Sequence, residues 1–160
     1  MTDEISTQEF ERLGFWQLIE TRSIEIPIIQ RDYVQGRIKK ERVRNDFLGV
    51  LYNALFNKPV ELDFIYGSED ENIFQPLDGQ QRLTTLFLLH WFIANKEGQL
   101  LEGVKNHLSR FTYETRTSSR EFCKELVNAS IDYDSLLPIN DNVSEKNQLS
   151  ETIKNAAWFV

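Results

Sequence analysis

The sequence predicts an α+β domain, and three observations carry that prediction. Short β-branched or alternating runs at 23–29, 60–66 and 73–77 read as strands. Apolar residues recur at helical spacing over 38–57, and the run 86–94 is apolar on nearly every face, the mark of a helix buried through the middle of the fold. Two boxes of the form S-x-x-E, Ser6 with Glu9 and Ser118 with Glu121, read as helix starts.

Taken in order, the first box opens a helix over 7–21, with Phe10, Leu13, Gln17, Leu18 and Ile19 on its inner side. Gly14 weakens it, because glycine costs a helix backbone entropy. Ser23-Ile24-Glu25-Ile26-Pro27-Ile28-Ile29 follows as a strand, which Pro27 places at a sheet edge or close to a strand end. The polar loop from Gln30 to Arg37 leaves that strand. A second helix over 38–57 turns Val43, Phe47, Val50, Leu51, Ala54 and Leu55 inward, and Pro59 ends it. In the next strand Val60, Leu62, Phe64 and Tyr66 form the inner face, and Glu61, Asp63 and Ile65 the outer one. Residues 67–72 make a polar turn, and 73–77 return as the second arm of a hairpin. Gly98 marks the stop of the central helix. Leu100, Leu101, Val104 and Leu108 give a weak helical pattern, and Phe111-Thr112-Tyr113 a short strand. Ser118 then caps a helix to about Asn128, with Phe122, Cys123 and Leu126 inside. Residues 133–147 read as loop and 148–159 as a last helix.

The richest stretch is Asp78-Gly79-Gln80-Gln81-Arg82-Leu83-Thr84-Thr85, a polar junction between a strand and the central helix. Such a junction gathers free backbone N–H groups at the positive end of a helix dipole, which together attract anions. Gly79 permits a tight turn, Gln80 and Gln81 bring amide donors and acceptors, and Arg82 brings a planar fork suited to phosphate. Asp78 could hold a metal ion or orient Arg82. The plainer alternative is that Asp78 caps the helix and Arg82 pairs with it four residues on.

Length and composition set the outer bounds. A chain of 160 residues is one domain, or one with a small appendage, and is long enough to bury a core without disulfides. The single cysteine, Cys123, excludes an internal disulfide and fits a reducing cytoplasm. The longest apolar run is too short to span a bilayer, and no signal pattern opens the chain. A net charge of −7 argues against a surface uniformly adapted to nucleic acid. Basic residues nevertheless crowd the start of the second helix, at Arg37, Lys39, Lys40, Arg42 and Arg44, where they oppose the helix dipole. They serve either as an anion-binding patch, with Arg37, Lys40 and Arg44 reaching DNA or phosphate, or as a solvated face paired to Glu41 and Asp46. Arg120, in the first turn of its helix as Arg82 is, is a further candidate for phosphate contact, and Arg116 reads as surface. Neither common nucleotide-binding glycine loop is present, and two histidines with one cysteine build no standard zinc site. His90 reads as a hydrogen-bonded core residue, His107 as exposed and Cys123 as core packing.

Two strings carry a likeness. IPIIQRDYVQGR, from Ile26 to Arg37, and QPLDGQQRLTTL, from Gln75 to Leu86, resemble the two motifs of the N-terminal domains of GmrSD-type modification-dependent restriction endonucleases, in the same order. That family is a branch of the ParB/sulfiredoxin-like superfamily marked by the DGQQR string. FTYETRTSSREFCKEL and the Trp158-Phe159 ending resemble its continuation with less specificity. Where many members carry Tyr and Trp in the first motif, this chain has Ile29 and Gln35.

The resemblance implies a small mixed sheet with helices packed round it over 1–130, and 131–160 as loop and the start of a following helical region in a longer protein. It implies binding and hydrolysis of a nucleoside triphosphate, GTP or another, with Mg²⁺, coupled to recognition of modified phage DNA. Cutting would fall to a C-terminal His-Asn-His nuclease domain or partner subunit. Carried over by position, Gln30 and Arg31 belong to the first motif, and Asp78, Gly79, Gln80, Gln81 and Arg82 to the second. Phosphate would be bound by Gln30, Arg31, Gly79, Gln80, Arg82 and Thr84 or Thr85, with Asp78 on Mg²⁺ and Gln81 or Gln30 positioning water. Asp78, Gln81, Arg82 and Arg31 form the expected catalytic set. Two other functions compete: a DNA-modification sensor that catalyses nothing and binds through Arg31, Arg37, Lys40 and Arg44, and a scaffold whose polar motif only caps a helix.

Overall fold

The computed structural model describes residues 11–27, 41–114 and 117–128. It is an α+β arrangement of five helices and a four-stranded mixed sheet: α1 (Phe15–Thr21), β1 (Ser23–Ile26), α2 (Glu41–Phe56), β2 (Gly67–Asp70), β3 (Ile73–Pro76), α3 (Gln80–Lys96), α4 (Glu102–Leu108), β4 (Phe111–Tyr113) and α5 (Thr117–Asn128). The strand order is β2-β3-β1-β4. β1 runs parallel to both β3 and β4, while β2 and β3 form an antiparallel hairpin. Three parallel strands therefore end at one edge of the sheet, and the second long helix, α3, starts there.

α1 is shorter than the expected helix over 7–21. Glu11 to Gly14 are not helical, and the box formed by Ser6 and Glu9 lies outside the described residues. Gly14 is the N-cap rather than an interior weakness: its backbone is extended, and its N–H donates to Gln17 Oε1 at 2.8 Å. A glycine at this position costs a helix little. β1 alternates half-buried Ser23 and Glu25 with buried Ile24 and Ile26. It lies between two neighbours, so Pro27 marks its end and not a sheet edge.

The hairpin is shifted from its predicted position. Residues 60–66 form no strand; pairing starts at Gly67, in the stretch expected to turn, and closes at Glu71-Asn72. Both turn residues have positive φ, 46° and 66°, the conformation a two-residue hairpin loop needs to match strand twist. The turn fixes the register Gly67↔Pro76 to Asp70↔Ile73. The faces predicted for 60–66 hold in part: Leu62 is half-buried and Glu61 and Asp63 are exposed as expected, but the order reverses at 64–66. Phe64 and Tyr66 are exposed, and Ile65 packs on the core. Ile65 descends onto Gly79, where only a glycine leaves room for it, and so takes the inner side in place of its neighbours.

α3 buries one face, Leu83, Thr84, Thr85, Phe87 and Trp91, and leaves Ile93 exposed, so it is not buried all round as its composition suggests. Its end is a Schellman motif. Gly98 takes φ 63°, its N–H reaches Asn95 O, and Gln99 N–H reaches Ala94 O. α2 departs further from expectation: Val43, Val50 and Leu55 of its predicted inner stripe are exposed, while Phe47, Leu51 and Ala54 are half-buried. α5 starts at Thr117, one residue before the expected cap Ser118, and buries Cys123, Leu126 and Val127.

The core joins α1, α3, α4, α5 and the inner face of the sheet through Ile19, Ile24, Ile26, Leu83, Phe87, Leu108, Phe111 and Val127. Phe87 and Phe111 stack with ring centroids 4.6 Å apart, locking α3 onto β4. Trp91 Nε1 donates to Leu126 O at 2.7 Å and ties α3 to α5. His90 is half-buried and hydrogen-bonded through Nδ1 to Leu86 O at 2.7 Å. His107, expected exposed, is half-buried with its ring against Trp16. Among the described residues no helix is long and apolar enough to cross a membrane.

Two outcomes follow from this packing. Burial pushes the Cys123 thiol up to about 12, so alkylation of the folded protein at pH 8 should run at least about a hundredfold slower than in urea; equal rates would place the thiol in solvent. Replacing Glu71-Asn72 by Asn-Gly removes a Glu from positive φ, and should raise stability by about 1 kcal/mol in urea titrations; an unchanged or lower midpoint would count against the turn geometry.

Candidate functional site

The polar junction sits where β3 ends. The N–H groups of Leu77 and Asp78 both donate to Tyr66 O, at 2.9 and 3.2 Å, and bend the chain out of the sheet. Gly79 follows with φ 80° and is itself the N-cap of α3. A Cβ on Gly79 would lie 2.6 Å from Ile65 Cγ1 and 3.2 Å from Arg82 Nη2. Positive φ and close packing therefore both require glycine here. Among the described residues no side chain caps α3. Asp78 thus does not cap the helix, and the first N–H groups of α3, which no helical carbonyl can reach, receive no side-chain acceptor from the N-cap.

Arg82 turns back across the junction. Nη1 donates to Asp63 O and Nη2 to Phe64 O, each at 3.1 Å. Two carboxylates flank the same guanidinium, Asp63 Oδ2 and Asp78 Oδ2, each at 3.5 Å. The Arg82 side chain is only 18% exposed, whereas Asp63 is 94% and Asp78 59% exposed, so the cation lies beneath its carboxylates. In this arrangement the fork clamps the segment 63–66 over the turn. The pairing of Asp78 with Arg82 four residues on is present, but it is the longer and weaker part of the contact.

The other residues of the motif are held by local bonds. Gln80 Nε2 donates to Pro76 O at 2.7 Å. Thr84 and Thr85 are buried, with their hydroxyls on Gln80 O and Gln81 O at 2.9 Å. Thr84 Oγ1 also meets Tyr113 OH at 3.0 Å. Gln81 is half-buried, and among the described residues its amide has no protein partner. Arg120 Nε donates to Tyr113 O at 2.8 Å, so Tyr113 joins the start of α3 to the start of α5 at the same sheet edge. Arg44 is half-buried on α2, with no contact that ties it to the junction among the described residues. Gln30, Arg31, Arg37 and Lys40 lie outside the described residues.

Two participants were missed from sequence. Tyr113 read only as a strand residue, although an aromatic hydroxyl at a strand end is the available signal. Glu25 accepts a hydrogen bond from Gln75 Nε2 at 2.9 Å, linking β1 to the motif strand β3 on the outer face of the sheet. Alternation in β1 already placed Glu25 opposite the buried isoleucines. Among the described residues no group of three or more His, Cys, Asp or Glu side chains is arranged to hold a metal.

The family model described as GmrSD restriction endonuclease, N-terminal domain, matches residues 15–159. Neither a curated protein nor a solved structure matches the chain.

Arg82→Ala removes two charge-assisted bonds and frees 63–66 from the turn. It should destabilise the protein by about 2–3 kcal/mol in urea titrations, and Arg82→Lys should recover little, since an ammonium does not span two carbonyls as a planar fork does. Wild-type stability in both variants would show that the clamp is not structural.

Proposed function

We propose, from the premise that this chain belongs to the family of GmrSD restriction endonuclease N-terminal domains, that it is the nucleoside-triphosphate-binding and hydrolysing module of a modification-dependent restriction endonuclease. The observation that carries this reading is the position of the junction. β3, β1 and β4 are parallel, so the DGQQR turn leaves the sheet at the edge where β1 ends, four residues before Gln30 in the sequence. Open sheets of parallel strands bind their ligands beyond the carboxyl ends of the strands. The N-terminus of the 17-residue helix α3 at that edge, capped by a glycine, supplies N–H groups and a positive dipole for phosphate.

In this reading the backbone of Gly79, Gln80 and Gln81 receives the phosphates, and Arg31 and Gln30 of the first motif close over them. Gln81, whose amide is uncommitted among the described residues, orients the attacking water. Arg82 is a positioning residue that holds the turn, with Thr84 and Thr85 fixing the first helical turn behind it. Asp63 and Asp78 outnumber the one guanidinium between them, which favours a triphosphate arriving with Mg²⁺, and Asp78 is the carboxylate to approach that ion. We read the sheet as ParB/sulfiredoxin-like, with the domain ending near residue 130. The wider protein would act in the cytoplasm on modified phage DNA, through a His-Asn-His nuclease domain or partner.

Melting of the chain with Mg²⁺ and GTP, UTP, CTP or ATP tests the proposal, alongside phosphate release with and without modified DNA. Saturation at a hundredfold excess over Kd adds about 2.7 kcal/mol, which is a rise of several degrees. At least one triphosphate should give it; Arg31→Ala should abolish it, whereas Gln81→Ala should keep the shift and lose phosphate release, neither changing the unliganded melting point. No shift with any triphosphate, together with nucleotide-independent DNA binding that falls steeply with salt, would replace the hydrolase by a DNA-modification sensor.

A further inference from the structure

The segment 63–66 shows two aromatic rings to solvent beside the junction. Phe64 is 70% exposed and Tyr66 55% exposed, and Leu77, whose N–H bonds to Tyr66 O, is 62% exposed next to them. This is not a loosely attached loop. Four hydrogen bonds hold its backbone: Asp63 O and Phe64 O accept from Arg82, and Tyr66 O accepts from Leu77 and Asp78. Ile65, between the two aromatics, is wedged against Gly79 and the core. Alternation along the extended chain then fixes Phe64 and Tyr66 on one side, pointing away from that anchor.

Exposed aromatic surface on a rigid backbone is costly unless something covers it. The Phe64 and Tyr66 centroids are 6.2 Å apart with the planes tilted by 37°, so neither ring face covers the other. The carboxylates of this region are matched by cations: Glu61 pairs with Arg12 at 3.1 Å, and Asp63 and Asp78 share Arg82 at 3.5 Å. A planar, uncharged group is free to stack on the two exposed rings. The platform shares its backbone with the DGQQR turn, since the residues that carry the rings are bonded to Leu77, Asp78 and Arg82.

We infer that Phe64 and Tyr66 form the platform on which the base of the bound nucleotide stacks while its phosphates lie at the N-terminus of α3. The inference deepens the nucleotide reading proposed above and rests on it. Stacking is tolerant of base identity, because every base offers a π-face. The platform therefore supplies affinity for a nucleotide over bare polyphosphate, and leaves the choice among bases to other groups. Clamping by Arg82 keeps the rings in place before the ligand arrives, which lowers the ordering cost of binding.

Calorimetric titration of the whole chain separates the two readings. Wild-type protein is titrated in Mg²⁺ with the triphosphate that shifts its melting point and, separately, with inorganic tripolyphosphate. The same titrations follow for Phe64→Ser, Tyr66→Ser and the conservative pair Phe64→Trp and Tyr66→Phe. Both serine variants should bind the nucleotide on the order of tenfold more weakly, keep wild-type affinity for tripolyphosphate, and melt within about two degrees of wild type. The conservative variants should bind the nucleotide as wild type does. Tripolyphosphate binding with no added affinity for the nucleotide would overturn the platform and leave the phosphate site standing. Binding of neither ligand would overturn both. Should the serine variants lose a single-stranded oligonucleotide and keep the nucleotide, the base would come from DNA, and the assignment to the nucleotide would fall.

Discussion

The arrangement depends on a single guanidinium laid back over its own helix start. Arg82 reaches two consecutive carbonyls, Asp63 O and Phe64 O, from the first turn of α3. It thereby fastens an extended segment that has no ladder of its own to the turn that begins the helix. Gly79 makes the contact physically available: with a side chain there, Ile65 could not descend onto the turn and the fork would be pushed aside. The motif thus has a structural role that its composition alone did not disclose. Arginine is the residue for this task because its planar fork meets two acceptors at once.

Much of the secondary structure was legible because local chemistry and tertiary packing agree. Gly98 stops α3 in the left-handed conformation that glycine favours, and the isoleucines of β1 alternate as a half-buried strand must. The misreadings fall where tertiary contacts overrule a local pattern. Residues 60–66 alternate as well as any strand in the chain, but the register is set by the Glu71-Asn72 turn, which moves pairing four residues on and leaves Phe64 and Tyr66 outside. α2 carries a sound helical stripe, but helical spacing reveals nothing about whether a neighbour arrives to cover it, and Val43, Val50 and Leu55 stay exposed.

The candidate site was legible as a place more than as a set of contacts. A polar strand-to-helix junction with a glycine announces uncapped N–H groups, and among the described residues α3 has no side-chain cap. What spacing cannot convey is which direction a long side chain takes. Arg82 turns inward to backbone oxygen, and Thr84 turns to Tyr113, a residue far along the chain. Arg120, noticed for its place in a first helical turn, reaches that same tyrosine through its carbonyl. Convergence on Tyr113 is a property of three parallel strands ending together, and it becomes visible only once β4 is laid beside β1.

The hairpin has one further consequence. β2 is the outermost strand of the sheet, every residue in it is exposed, and it carries Glu69 and Asp70 beside the turn residue Glu71. Among the described residues no strand pairs with its outer rim, and two copies meeting there would bring Asp70 and Glu71 of each hairpin together, while Glu69 is held by Arg22 at 2.9 Å. The sheet is thus shielded by like-charge repulsion from growing by strand addition on this side. Assembly into a larger enzyme would have to engage the molecule elsewhere, keeping the hairpin tip in water.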